Sequence, residues 1–121
     1  MEAERIRTYC LEKKGVSESF PFNETTLVFK VGTKMFLLLS LDAVPFSFAV
    51  KTDPDWSEEL RESYPQIKGA YHMNKKHWNS VEPEGVPSDL LYKLIDHSYD
   101  LIFGSLSRKA REEIAKEGNL Q

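Results

Sequence analysis

"TTLVFKVGTKMFLLLSLDAVPFSFAVK", Thr25 to Lys51, is the stretch that decides the fold. Its first part alternates, with Leu27, Phe29 and Val31 on one side and Val28 and Lys30 on the other, which is the two-residue period of a strand. Gly32-Thr33 supplies a two-residue hairpin turn into Lys34 to Leu41. That second strand is apolar on both faces, as expected of a central strand covered on both sides. Phe46, Phe48 and Val50 then alternate with Ser47, Ala49 and Lys51, giving a third strand with a more polar face. Three consecutive strands joined by short turns predict an antiparallel arrangement.

The flanks read as helices. Residues 2–14 carry Ala3, Ile6 and Cys10 at helical spacing, and Gly15 supplies a stop. Asp53-Pro54 is an N-cap followed by proline at the first helical position. Trp56 and Leu60 share a face of the helix so opened, which ends before Pro65. Residues 67–72 and 77–82 are two further short strands, with "MNKK" on their connection. Pro87 opens the last helical block, striped by Leu90, Leu91, Leu94, Ile95, Leu101 and Ile102. Gly104 breaks that block before a charged helix starting near Ser107. The order predicts a single α+β domain over residues 1–121, with an antiparallel sheet of about five strands.

The totals bound the function. A chain of 121 residues, 40% hydrophobic and 29% charged, supports one core. No apolar run reaches the ~20 residues of a membrane-spanning helix. The charged N-terminus has no signal-peptide core, so a cytoplasmic, membrane-free protein is expected. Cys10 is the one cysteine, which excludes an internal disulfide and a cysteine-rich zinc site; it is read as a small buried hydrophobe. The net charge of -3 works against nucleic-acid binding, although many of the acids fall in helical segments and leave the middle of the chain locally basic.

No nucleotide, nucleophile-elbow or zinc-protease motif is present. His72 and His77 approach one another only if the turn between their strands allows it, and His97 lies beside Asp96 in a helix. A metal needs three or four converging ligands, so these histidines are read as hydrogen-bonded framework. The expectation is no catalytic residue, no metal and no cofactor. Lys30, Lys34, Lys51, Lys68, Lys75 and Lys76, interleaved with His72, Asn74, His77, Tyr71 and Trp78, could contact phosphate and bases, or merely blunt sheet edges. Trp78 and Tyr71 read as anchors to the core.

The segments "YCLEKKGVSESFPFNETTLVFKVGTKMFLLLSL" (9–41), "DPDWSEELRESYPQIKGAYHMNKKHWNSV" (53–81) and "VPSDLLYKLIDHSYDLIFGSLSRKAREEI" (86–114) resemble the MmcQ/YjbR family of small bacterial proteins. "YHMNKKHWNSV" and "LIDHSYDLI" are the most specific parts. The resemblance implies an α+β fold and double-stranded DNA binding through a double wing of hairpins. Carried onto this chain, the nucleic-acid contacts are Lys30, Lys34, Lys51, Lys68, His72, Asn74, Lys75, Lys76 and His77. The acidic pI of about 5.6 and the scarcity of arginine in these segments depart from a strong DNA binder. The expected function is a monomeric, cytoplasmic DNA-binding, regulatory protein without cofactor. The rival is a protein-binding adaptor of unknown partner.

Overall fold

The computed structural model describes residues 1–70 and 73–119. The hairpin forms as its alternation dictates: β2 (Thr26–Val31) and β3 (Lys34–Ser40) turn at Gly32-Thr33, where Gly32 has φ +61°. Leu27 and Phe29 pair with Leu39 and Leu37, all turned to the same side. Lys30 then pairs with Met35, so Phe36 is an extra residue, a β-bulge that lets Phe36 and Leu37 both bury completely. β4 (Ser47–Lys51) continues the antiparallel ladder through Phe48↔Leu39 and Val50↔Leu37.

Around this hairpin lie α1 (Ala3–Leu11), β1 (Val16–Ser19), α2 (Pro54–Ser63), β5 (Ile67–Gly69), β6 (Trp78–Val81), α3 (Ser88–Ser105) and α4 (Arg108–Asn119). The sheet has six strands in the order β1-β2-β3-β4-β6-β5, every neighbouring pair antiparallel. β1 is the strand beyond the expected five. "VSES" has one apolar residue and sits at an edge, so its only sheet signal is pairing with β2, which no local pattern carries. Gly15, at φ +73°, turns α1 into β1, and a Cβ there would lie 2.8 Å from Ile114 of α4.

Asp53 caps α2 as the sequence implies, its Oδ1 accepting from the Asp55 amide at 3.0 Å. The last helical block breaks later than Gly104: α3 runs through Ser105, and α4 begins at Arg108.

One core gathers all four helices. Ile6 and Cys10 of α1, Leu60 of α2, Leu91, Leu94, Ile95 and Ile102 of α3 and Ile114 of α4 pack against the inward residues of the sheet, among them Phe29, Leu37, Phe48, Val50 and Val81. Val28, though fully buried, lies outside that cluster. The helices therefore cover one face. The expectation that β3 is covered on both sides is corrected: its outward residues, Met35 and Leu38, are half-buried and carry no helix.

Polar residues lock the layers. Ser98 of α3, fully buried, donates to the Phe36 carbonyl (2.5 Å) and accepts from the Lys51 amide (2.9 Å). Phe36 and Lys51 are the next residues beyond the last β3–β4 pair, Leu37 and Val50, and the serine hydroxyl satisfies a backbone group of each. Two residues earlier on α3, Asp96 Oδ1 accepts from the Tyr9 hydroxyl (2.7 Å) and pairs with Lys13 (2.5 Å), whose ammonium lies 4.8 Å from the Tyr9 ring centre. α1 is thereby fastened to α3.

Candidate nucleic-acid interface

The uncovered face can be read from the register. Val28, Leu38, Ala49, Ser80 and Lys68 form one row across five strands. One step along stand Lys30 opposite Met35, and Lys51 opposite Trp78. One step the other way run Thr26, Ser40 and Ser47. Of the nineteen acidic residues, none occupies a strand position on this face. Glu18, the single acid within a strand, points the other way, where its carboxylate accepts from Arg7 of α1 at 2.9 Å. Carboxylates crowd instead around α2, where Asp53, Asp55 and Glu59 border a cleft with Trp56 and His97.

The middle of this face is recessed. A groove of about 530 Å³ has Met35, Leu38 and Ala49 on its floor, Phe22 on one wall, and Ala70 and Met73 on the other. Thr26, Ser40 and Ser80 add hydroxyls. The Phe22 wall is held by Asn23, whose Oδ1 accepts from the amides of Thr25 (2.9 Å) and Thr26 (2.7 Å), while the Phe22 ring is 64% exposed.

Of the residues expected to contact DNA, Lys30, Lys51 and Lys68 share this face. Lys34 does not join them: its Nζ donates to the carbonyl (3.1 Å) and hydroxyl (3.2 Å) of Ser105 at the end of α3. Helix-terminal carbonyls attract a cation, and the hairpin tip lies close enough to bring it there. Asn74, Lys75 and Lys76 are exposed on the turn between β5 and β6. Asn74 is committed to shaping that turn, its side-chain oxygen accepting from the Lys76 amide (3.0 Å) and its carbonyl from His77 (3.1 Å) and Trp78 (2.9 Å). His77 is half-buried at the end of the turn, and its carbonyl accepts from the Thr52 amide at 2.7 Å. His72, together with Tyr71, lies outside the described residues.

What fixes the turn was not visible in the motif itself. Arg61 of α2 donates through Nε to Asn79 Oδ1 (2.7 Å) and through Nη2 to the carbonyls of Lys75 and Trp78. Asn79 is fully buried, and its amide donates to Thr52 Oγ1 (2.7 Å) and Ser57 Oγ (3.1 Å). Ser57 in turn donates to the Asp53 carbonyl at 3.0 Å. Donor counting fixes every direction: Ser57 has spent its proton on Asp53, so Thr52 donates in the close Thr52–Ser57 hydroxyl contact. The result is a closed relay from Arg61 through Asn79, Thr52 and Ser57 to the N-cap of α2. Asn79 was detectable, since the strand period that buries Val81 also buries residue 79; its partners were not.

His97 is also framework. Its Nε2 accepts from the Asp53 amide at 3.1 Å, and its ring meets Trp56 edge-on at 4.7 Å. Among the described residues no three His, Cys, Asp or Glu side chains are grouped to hold a metal. Burial pushes the Cys10 thiol up to about 12, far from the range in which a thiol ionises at neutral pH. Also among the described residues, no helix is long and apolar enough to cross a membrane.

Fold and site together define a small α+β domain: a six-stranded antiparallel sheet with helices on one face and, on the other, an apolar-floored groove beside three lysines. The chain belongs to the YjbR family, whose model matches residues 11–101. It is 40% identical over 113 residues to the uncharacterized protein YbdF of Escherichia coli O157:H7, covering 92% of each chain. It is 26% identical over 113 residues to the uncharacterized protein YjbR of E. coli K12, covering 93% of this chain and 96% of that one. Among solved structures, the Deinococcus radiodurans protein DR2400, with domain DUF419, matches at TM-score 0.87 and 39% identity, over 93% of this chain and 86% of that one. A Pseudomonas syringae protein shares the fold at TM-score 0.73 and 24% identity, over 84% of this chain and 99% of that one.

Proposed function

We propose that this domain binds DNA, and that it does so with the open face of the sheet. The observation that carries the reading is charge segregation within the sheet: Lys30, Lys51 and Lys68 stand on one face whose strand positions hold no carboxylate, in a protein of net charge -3. A locally cationic surface can hold phosphate while the rest of the molecule repels it. Asn74, Lys75 and Lys76 extend that surface along the β5–β6 turn. Three floor lysines neutralising three phosphates give a log-log salt slope of about -2 to -3. Anisotropy of fluorescein-labelled DNA titrated with the protein at low and rising salt tests this. Changing Lys30, Lys51 and Lys68 together to glutamine is expected to abolish binding, whereas Lys34→Gln leaves it within two-fold. Absence of binding at low salt with protein at about 100 µM, the weak end of non-specific affinity, rejects the reading.

A protein-binding role is favoured by a different observation. Phe20, Phe22, Leu41 and Val44 are 48%, 64%, 45% and 95% exposed on two connections at one end of the sheet. The Leu41 amide bonds the Thr25 carbonyl at 2.8 Å, joining those connections. Exposed apolar groups gathered in one place fit an adaptor surface. Substituting Phe20, Leu41 and Val44 by serine would abolish partner capture and leave DNA affinity unchanged.

A further inference from the structure

The lysines of the open face lie within strands, on the floor of the sheet, and the hairpin tip that would serve as a wing is folded back. A Cβ on Gly32 at that tip would lie 3.3 Å from Leu106, and the adjoining Lys34 is bonded to Ser105. The cations therefore stand beside a recess whose floor is apolar, Lys30 and Lys51 along one side and Lys68 toward the β5 edge. Its volume, about 530 Å³, is that of a small-ligand pocket. Lys51 stands one same-face step, about 6.7 Å, beyond Ala49 in the floor, and Lys30 stands opposite Met35. A duplex offers such a face only phosphates, because its bases are stacked inside, and Met35, Leu38 and Ala49 would gain nothing from it. A single strand offers base faces and phosphates together, the combination that a cationic groove with apolar and aromatic walls retains.

We infer that the groove seats an unstacked base of single-stranded DNA against Met35, Leu38 and Ala49, beside Phe22, while Lys30, Lys51 and Lys68 hold the neighbouring phosphates. This rests on the DNA reading and narrows it to one form of the polymer. The phenyl ring of Phe22 supplies a stacking surface at the groove wall, and Met73 closes the opposite side.

The test is anisotropy at low salt with fluorescein-labelled dT12 and, separately, a labelled 12-base-pair hairpin, each titrated with the full chain. dT12 is expected to bind at least ten-fold more tightly than the hairpin. Phe22→Ala, on an exposed loop where the fold is not at stake, is expected to weaken dT12 binding at least five-fold. Ala49→Leu, which fills the groove and keeps every lysine, is expected to do the same; if it fails to fold, Phe22→Ala decides. Equal affinity for the two DNAs, with Phe22→Ala silent, overturns the inference while the DNA reading stands. Binding to neither DNA removes both.

Discussion

Asn79 is the residue whose removal should be felt most. Truncation to alanine deletes the amide that accepts from Arg61 and donates to Thr52 and Ser57 in a fully buried position. A bond to a charged donor contributes about 1.5–3 kcal/mol and each neutral one about 1. The sum is discounted because Arg61 keeps its bonds to the Lys75 and Trp78 carbonyls, and because Thr52 and Ser57 keep each other. We expect Asn79→Ala to cost about 3 kcal/mol, a drop in melting temperature of roughly 12 °C for a domain of this size. Urea unfolding followed by circular dichroism, with m unchanged, measures it. In a cycle with Arg61→Ala, the double variant should lose less than the sum of the singles by about 1 kcal/mol or more, since both remove the same bond. A loss below about 1 kcal/mol for Asn79→Ala, or strict additivity with Arg61→Ala, would refute the relay as the anchor of the β5–β6 turn.

Two further outcomes follow from the core. Ser98→Ala orphans the Phe36 carbonyl and the Lys51 amide at the bulge and should cost about 2–4 kcal/mol by urea unfolding; a cost under about 0.5 would show that the bulge satisfies itself. Burial raises Cys10 from 9.0 to about 12, and burial together with the bond to Asp96 raises Tyr9 from 10.0 to about 12. The native state thus keeps both protons where the unfolded chain releases them. Their contribution to stability is whole below about pH 9 and drains away as the pH climbs toward 12, so the urea midpoint should fall steadily between pH 9 and pH 11. In the same experiment a thiol reagent at pH 8 should label Cys10 only in urea, and rapid labelling of the native protein would contradict its burial.

Much of the fold was legible because its signals are local. The alternation of Leu27, Phe29 and Val31, the Gly32-Thr33 turn and the Asp53-Pro54 cap each act within a few residues, and each produced the expected element. β1 was not legible, since "VSES" becomes a strand only by pairing with β2. The lysines could be found in the chain but not sorted. Lys30 and Lys34 are four residues apart, yet the bulge and the fold of the hairpin send one to the open face and the other to the end of α3.

By itself, then, the sequence determined every element but β1, the antiparallel hairpin at the centre and the family, because periodicity, turn chemistry and caps are properties of neighbouring residues. Only the tertiary structure decided that every helix packs on one side and that the strand positions of the other face carry Lys30, Lys51 and Lys68 and no acid. It alone also joined Arg61 and Asn79, 18 residues apart, behind the most distinctive segment of the chain. Those outcomes depend on which surfaces bury together, and that is settled by contacts between residues far apart in the chain, where no local pattern reaches.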